Sequence, residues 1–523
     1  MLLKSIIHFL AMRVAVILSQ PISQVVLKCI YRIFKGKTKP VPAIDNEVLL
    51  MSATKLAAKI RKQQIKCEEV MRAYIDRSRL VQPYINAIVD ERYDKAIEES
   101  KDVDTFLQKG EKTVEEIERD TPLLGVPFTC KESVGVKGLS QTAGIYKDKG
   151  RKAEKDSDAA GFYRAAGAIP VTVTNVPEQT MWWDSANLIY GITENPFDHS
   201  RIPGGSSGGE SALLTTGGAV IGIGSDIGGS IRMPSSFCGI YGHKPTTSVV
   251  SNAGKRPYHE VHSKKVDHMV SIGPMCRYAE DLPLLLKVLS GDDRRLKLHN
   301  KVNFHKVKVY YIESFPDIPA VPAIKQAIRK AASYFEEQYE IKAIPVRFAE
   351  LRNTFRIWEC ERVKHDSPPL KNFIAEGKVN VWVELLKKFL HLSEHTFPLI
   401  YFSIAENREK NQQYYDLLEQ CEVLKKKFQE IFEEDAVLLV PTHPEPPPFY
   451  HLTTPNIFNV GYTAIFNVLG FPSTAIPAGM CDGLPIGIQA VSGQFNDHLT
   501  ISAAMELDKL FGGWISPCPV ANF

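Results

Sequence analysis

The chain has 523 residues, of which 44% are hydrophobic and 24% charged, with 34 Gly and 33 Pro; this globular composition excludes disorder, collagen and coiled coil. Lys and Arg number 63 against 60 Asp and Glu, a net charge of +3, and no long basic run lies outside the N-terminus, so no electrostatic footprint for nucleic acid is visible. Nine cysteines, an odd number without a C-x-x-C pair, argue against both a disulfide framework and structural zinc.

Residues 2–34 are mostly apolar but are interrupted by Lys4, His8, Arg13, Lys28 and Arg32. The longest uncharged stretch, Val14 to Leu27, spans about 21 Å as a helix against a hydrocarbon core of about 30 Å. It crosses a bilayer only if Lys28 and Arg32 snorkel; otherwise Pro21 breaks it into an interface-lying pair. Membrane association is expected, with spanning and monotopic insertion both open. Lys28, Arg32, Lys35, Lys37 and Lys39 on the C-terminal side put the following body in the cytosol. No linker or repeat divides that body, so the expected organisation is a membrane-associating segment over 1–39 and one large catalytic domain over 40–523.

Ser52 precedes Leu56, Ala57 and Ile60, then Val70, Ala73, Tyr74 and Arg77 at helical spacing, which predicts two helices over 52–80; a charged helix follows over 91–108. From Leu123 the texture changes to short apolar runs closed by Gly or Pro: Gly125–Cys130, Ala168–Thr174, Ala219–Ser225, Val437–Val440, Ser473–Pro477 and Leu484–Ala490. Helical stretches lie between several of them, as in Asp158–Ala166 and Asp281–Leu289. Buried strands alternating with helices predict an α/β sheet covered on both faces.

Residues 204–230, GGSSGGESALLTTGGAVIGIGSDIGGS, concentrate glycine and serine around the apolar run Ala219–Gly224. Glycine permits close approach, and consecutive N–H groups in such a loop form an anion nest. Gly222, Gly224 and Gly228 miss the dinucleotide pattern by one position, and Gly204–Gly209 carries no P-loop lysine. Gly204 to Gly208 matches G-x-S-x-G, but turn residues rather than an apolar strand precede it. The serine at a strand end beside backbone donors is Ser230. Such a hydroxyl needs a base, and a lysine serves if burial lowers its ordinary pKa of about 10.4 by roughly three units. Lys131 closes the apolar run Gly125–Cys130, and an intervening serine can relay the proton.

Lys131 in GVPFTCKES, Ser206 in GGSSGGE and Ser230 in GSDIGGSIRMP resemble the amidase signature family, whose Ser-Ser-Lys triad occurs in these contexts. The likeness continues through Gly239–Thr246, Gly273–Arg277, Asn467 and Gly483–Gln489. It implies an α/β amidase signature fold, a twisted mixed β-sheet surrounded by α-helices, and hydrolysis of a carboxamide with no cofactor and no metal. It further implies Ser230 as nucleophile, Ser206 as bridging serine, Lys131 as base, the N–H groups of Ile227, Gly228, Gly229 and Ser230 as oxyanion hole, and a cis Gly205–Ser206 peptide. Within the family, the apolar N-terminus, GPMCRYAEDL at 273–282 and GQFNDHLT at 493–500 resemble the membrane-associated fatty-acid amide hydrolases of the second vertebrate type. The implied partners are a small-molecule lipid amide and an endomembrane or lipid droplet, without nucleic acid; a homodimer is compatible. Short-chain amides, glutamine in an amidotransferase assembly, and a non-catalytic lipid-binding role are the alternatives.

His391-Leu-Ser-Glu-His395 matches an inverted zinc-peptidase pattern, but Val381–Phe402 reads as a broad apolar helical face, core or membrane-facing cap, with Lys387 and Lys388 favouring the cap. His259, His262 and His268 are expected in a solvated loop. Pro441–Pro448 is expected as a rim loop beside the site. Met181, Trp182 and Trp183 are read equally as core or as an acyl-channel wall. Asp226 is expected to brace the nucleophile loop and Arg232 to pair with a buried carboxylate.

Overall fold

The computed structural model describes residues 39–257 and 267–521, apart from 366, 368, 375–379 and 407. The apolar stretch expected to meet a membrane, and His259 and His262, therefore lie outside the described residues. Among the described residues no helix is long and apolar enough to cross a membrane.

The predicted helices open the chain. Ser52 caps Ala53–Arg61 through its hydroxyl, and Leu56, Ala57 and Ile60 turn inward. Cys67–Ile85 has no cap of its own; the Asp104 carboxylate, from the facing helix Tyr93–Lys109, accepts the N–H groups of Cys67 and Glu68 at 2.7 and 3.0 Å. An anion at a helix N-terminus satisfies orphan donors and complements the dipole.

The strands are β1 (Ile88–Glu91), β2 (Pro127–Lys131), β3 (Ile169–Thr174), the short pair β4 (Ala186–Asn187) and β5 (Gly191–Ile192), β6 (Ile221–Asp226), β7 (Tyr241–Lys244), β8 (Ser271–Cys276), β9 (Lys308–Tyr311), β10 (Ala343–Pro345), β11 (Ala436–Pro441), β12 (Ser473–Cys481) and β13 (Leu484–Val491). All but β4 and β5 form one eleven-stranded sheet in the order β1-β3-β2-β6-β8-β7-β12-β13-β11-β9-β10. It is mixed: β3, β2 and β6 run parallel, as do β11, β9 and β10, while β6 through β8, β7, β12, β13 and β11 are antiparallel neighbours. Helices Tyr93–Lys109, Leu282–Leu289, Pro322–Tyr339 and Asp497–Phe511 pack on it. The central strands β2, β3 and β6 are wholly buried, which is why they read as unbroken apolar runs. The fold is the mixed α/β architecture expected.

Five strands of the sheet fall outside the predicted runs. Among them β7 and β8 carry Gly242, His243, Lys244 and Gly273, which break any apolar pattern, yet every residue in both is buried. Tertiary partners compensate: His243 meets Thr474 and Asp497, and Lys244 donates to the Pro245 carbonyl.

The Val381–Phe402 segment is two helices, Val381–Phe389 and Phe397–Ala405, rather than one face. On the first, Trp382 and Phe389 are 62% and 70% exposed; on the second, Leu399, Ile400 and Phe402 point inward. The turn between them is fastened to the body by Glu178, whose buried carboxylate meets His395 Nδ1 at 2.7 Å and accepts the Thr396 N–H and hydroxyl at 2.7 and 2.9 Å. Burial pulls the His395 pKa down, but the Glu178 bond and charge outweigh it and raise it above the ordinary value. A raised folded-state pKa stabilises below the unfolded value and is lost as pH rises through the folded one. Hydrogen exchange over 390–400 should accordingly speed up on the alkaline side of that pKa, and Glu178→Gln should raise it about tenfold or more at pH 6; unchanged exchange in the variant would refute the fastening role.

Candidate active site

The site is built where β2 and β6 end side by side. Lys131, the last residue of β2, is fully buried, and its Nζ lies 2.6 Å from Ser206 Oγ, 3.0 Å from Ser225 Oγ and 3.3 Å from the Ser225 carbonyl, so that as a neutral amine it can donate to Ser225 and accept the Ser206 hydroxyl. Burial, then the charge of Lys255, drives its pKa well below the ordinary lysine value, against the opposing pull of Asp226 and Glu210. A neutral amine with a hydrogen-bonded hydroxyl is the arrangement a general base requires. Ser206 follows a cis Gly205–Ser206 peptide and leads into the helix Gly208–Thr215.

Ser230 lies four residues beyond β6, in a loop held from within by Asp226. The Asp226 carboxylate accepts the N–H groups of Gly229 and Ile231 at 2.6 and 3.1 Å, and pairs with the Arg232 guanidinium through two 3.0 Å bonds, both residues being fully buried. Burial would raise its carboxyl, but Arg232 and the backbone donors hold it well below the usual carboxylate range. Arg232 continues to Gln489 and Asn467 at 3.0 and 2.6 Å. Both expectations for this pair hold. Gly229 has φ 129 and a Cβ there would overlap the Thr463 hydroxyl, so only glycine fits.

Ser230 opens on a narrow apolar cavity of about 50 Å³, whose walls include Met181, Trp182, Trp183, Phe355, Trp358 and Phe402. Trp182 and Trp183, read equally as core or channel wall, are both: buried in one apolar cluster and lining this cavity. Ile227, Gly228 and Ser230 also line it, whereas Gly229 does not, and its N–H is directed to Asp226. Gly229 therefore differs from the expected oxyanion set because its amide closes the loop. The Trp358 indole donates to the Ile227 carbonyl at 2.8 Å. The 441–448 loop sits behind this wall, with the His443 ring 5.3 Å from Trp183 and 4.9 Å from Phe237.

Two groups escape sequence reasoning. Ser225 holds Lys131, but one serine inside a strand carries no signal. Glu210, buried in the helix after Ser206, receives the hydroxyls of Thr129 and, at 2.6 Å, Thr174, and burial pushes its pKa up to about 7. It is visible in GGSSGGE, but without a role. The H-x-x-E-H residues do not share a helix: His391 is in a left-handed turn and His395 is bound to Glu178. His268, expected in a solvated loop, is instead half-buried on a short 3-10 helix with its ring 3.8 Å from that of His365, because the Asp267–Met269 turn folds back onto the helix Thr354–Lys364.

The Amidase family profile matches residues 69–501. Fatty-acid amide hydrolase 2-A of Danio rerio is 38% identical over 490 residues, covering 91% of this chain and 92% of that protein, and fatty-acid amide hydrolase 2 of Homo sapiens is 38% identical over 499, covering 92% and 93%. The indoleacetamide hydrolase of Bradyrhizobium diazoefficiens is 27% identical, covering 88% of this chain and 86% of its own. Among solved structures, a fatty acid amide hydrolase superposes with a TM-score of 0.73 at 21% identity, over 90% of this chain and 86% of the other. The chain therefore belongs to the amidase signature family.

Proposed function

We propose that this enzyme hydrolyses long-chain fatty acid amides at a membrane surface through Ser230, Ser206 and Lys131. The observation that carries the reading is a buried, charge-depleted lysine bonded to a serine at the edge of an apolar cavity that Ser230 lines. The 38% identity to fatty-acid amide hydrolase 2 over most of both chains supports the substrate class.

In this mechanism neutral Lys131 takes a proton from Ser206, which takes one from Ser230 as its Oγ attacks the amide carbonyl. The oxyanion faces the N–H groups of Ile227, Gly228 and Ser230, each such donor contributing about 10²–10³ in rate. The same relay then returns a proton to the departing nitrogen, which an amide needs because its anion is a very poor leaving group. Water repeats the cycle on the acyl-enzyme. A wall of tryptophan, phenylalanine and methionine suits an alkyl chain, and offers little to glutamine, the substrate expected in an amidotransferase assembly.

The exposed face of Trp382, Leu386 and Phe389 beside Lys387 and Lys388 suits an anionic lipid surface, with the catalytic body on the cytosolic side. Lys388 and Phe397 line a second cavity, of about 660 Å³, which shares Trp182 as a wall with the first. A lipid leaving the bilayer under this cap would reach Ser230 if the Trp182 side chain swung aside.

A fluorophosphonate should label Ser230; Ser230→Ala should abolish labelling and lower oleamide turnover at least about 10⁴-fold, and Ser206→Ala should only reduce labelling. An adduct mapped by mass spectrometry to another residue would refute the assignment. Released amine from acetamide, glutamine, oleamide and N-acylethanolamines tests the substrate class.

Because the base is the unprotonated amine and burial lowers its pKa, activity should fall as pH drops through that pKa and level off above it. Lys131→Ala should hurt amides more than matched esters, and equal losses would remove it as the proton donor.

Deleting residues 1–39 should leave an active body that still sediments partly with vesicles. Adding Trp382→Glu and Phe389→Glu, both at exposed positions, should release it and raise KM for oleamide more than for a short soluble amide. Retained pelleting, or equal effects on both substrates, would refute the docking face.

A further inference from the structure

His268, Glu361 and His365, none of them part of the lysine and serine group, bring three potential ligand atoms within 4.8 Å of one another. Glu361 and His365 are four residues apart at the C-terminal end of the helix Thr354–Lys364, on one face, and His268 comes from the short helix Asp267–Met269. We propose that this cluster is a binding site for a divalent transition metal, zinc by preference, which ties that helix to the segment entering β8.

The chemistry of the donors selects the ion. Two imidazole nitrogens and a carboxylate oxygen form a set that zinc accepts with water in the fourth position, whereas magnesium and calcium require oxygen ligands. The geometry is close to what a tetrahedral ion needs. With ligands at 2.0–2.1 Å, the ligand atoms sit roughly 3.4 Å apart. Glu361 Oε2 and His365 Nε2 are already 3.4 Å apart. The remaining distances have to shrink by no more than about 1.4 Å, a side-chain rotation. The ring centroids are 3.8 Å apart with a 43° tilt, nearer than the roughly 5 Å of two imidazoles on one tetrahedral ion, so binding requires the rings to splay apart as their nitrogens turn inward.

The surroundings are compatible with a bound cation. Glu361 is buried, and its other oxygen holds Lys364 Nζ at 3.1 Å; that lysine is 41% exposed and lies near Glu422, so its ammonium can move toward a second carboxylate when a cation takes Glu361. The competing arrangement is that Glu361 simply pairs with Lys364 and His365. That arrangement binds no metal, which separates the two. The position matters for the enzyme because one turn earlier the same helix carries Trp358, whose indole holds the Ile227 carbonyl at the cavity wall.

The test uses the full chain after chelator treatment and desalting. Equilibrium dialysis against zinc chloride should give about one high-affinity zinc per chain, uncompeted by millimolar magnesium or calcium. His365→Ala, at a partly exposed helix end, and Glu361→Gln should each weaken binding at least about 100-fold. Fluorophosphonate labelling at the wild-type rate in both variants would show that they fold. Cobalt(II) substitution should give visible d–d bands without near-ultraviolet thiolate charge transfer. Zinc retained by both variants, or a thiolate band that moves the ion to a cysteine such as Cys421 beside Glu361, would overturn the site. So would the absence of tight binding to the wild-type chain.

Discussion

The Asp226–Arg232 pair is the constraint on which the rest of the site depends. Both side chains are fully buried, and an uncompensated charge at such a depth is worth about 3–5 kcal/mol when one partner is removed. What the pair secures is convergence. Asp226 ends β6 and holds the serine loop by its amides, Arg232 starts the helix that follows, Asn467 comes from the helix Gly461–Val468 and Gln489 from β13. Two consecutive elements and two from more than 200 residues further along the chain are fixed around one charge, and Ser230 stands in the loop they define.

Burial also sets the protonation pattern beside it. Burial lowers Lys131 and raises Glu210, so the same physical cause moves an acid and a base toward neutrality in neighbouring positions. Glu210 is occupied by two threonine hydroxyls instead of forming a salt bridge to the lysine. Had it done so, Lys131 would be held as ammonium and could not act as a base. The threonines on β2 and β3 thus protect the proposed chemistry without touching a substrate.

The central strands are legible in the sequence because they are buried on both faces and need no polar partner. β7 and β8 are not, since His243 and Lys244 are tolerated inside only through Asp497, Thr474 and a backbone carbonyl that no local pattern reveals. At the site, Lys131, Ser206 and Ser230 stand out by motif and strand-end position. Ser225 does not, because its contribution is a register on β6 opposite the end of β2. Asn467 and Gln489 belong to the family likeness but have no role until the sheet brings them within reach of Arg232. His268 is misread for the same reason: its partner His365 lies 97 residues away, where no loop composition can announce it.

Trp358 does two jobs through one peptide plane. Its ring is cavity wall, and its N–H fixes the Ile227 carbonyl. In a planar trans peptide the carbonyl and the following amide point in opposite directions, so anchoring that oxygen aims the Gly228 N–H the other way. In the proposed mechanism this amide is an oxyanion donor. On that reading one side chain both shapes the cavity and aims an oxyanion donor, so a substitution at Phe355 or Phe402, which line the cavity without touching the serine loop's backbone, alters less than one at Trp358.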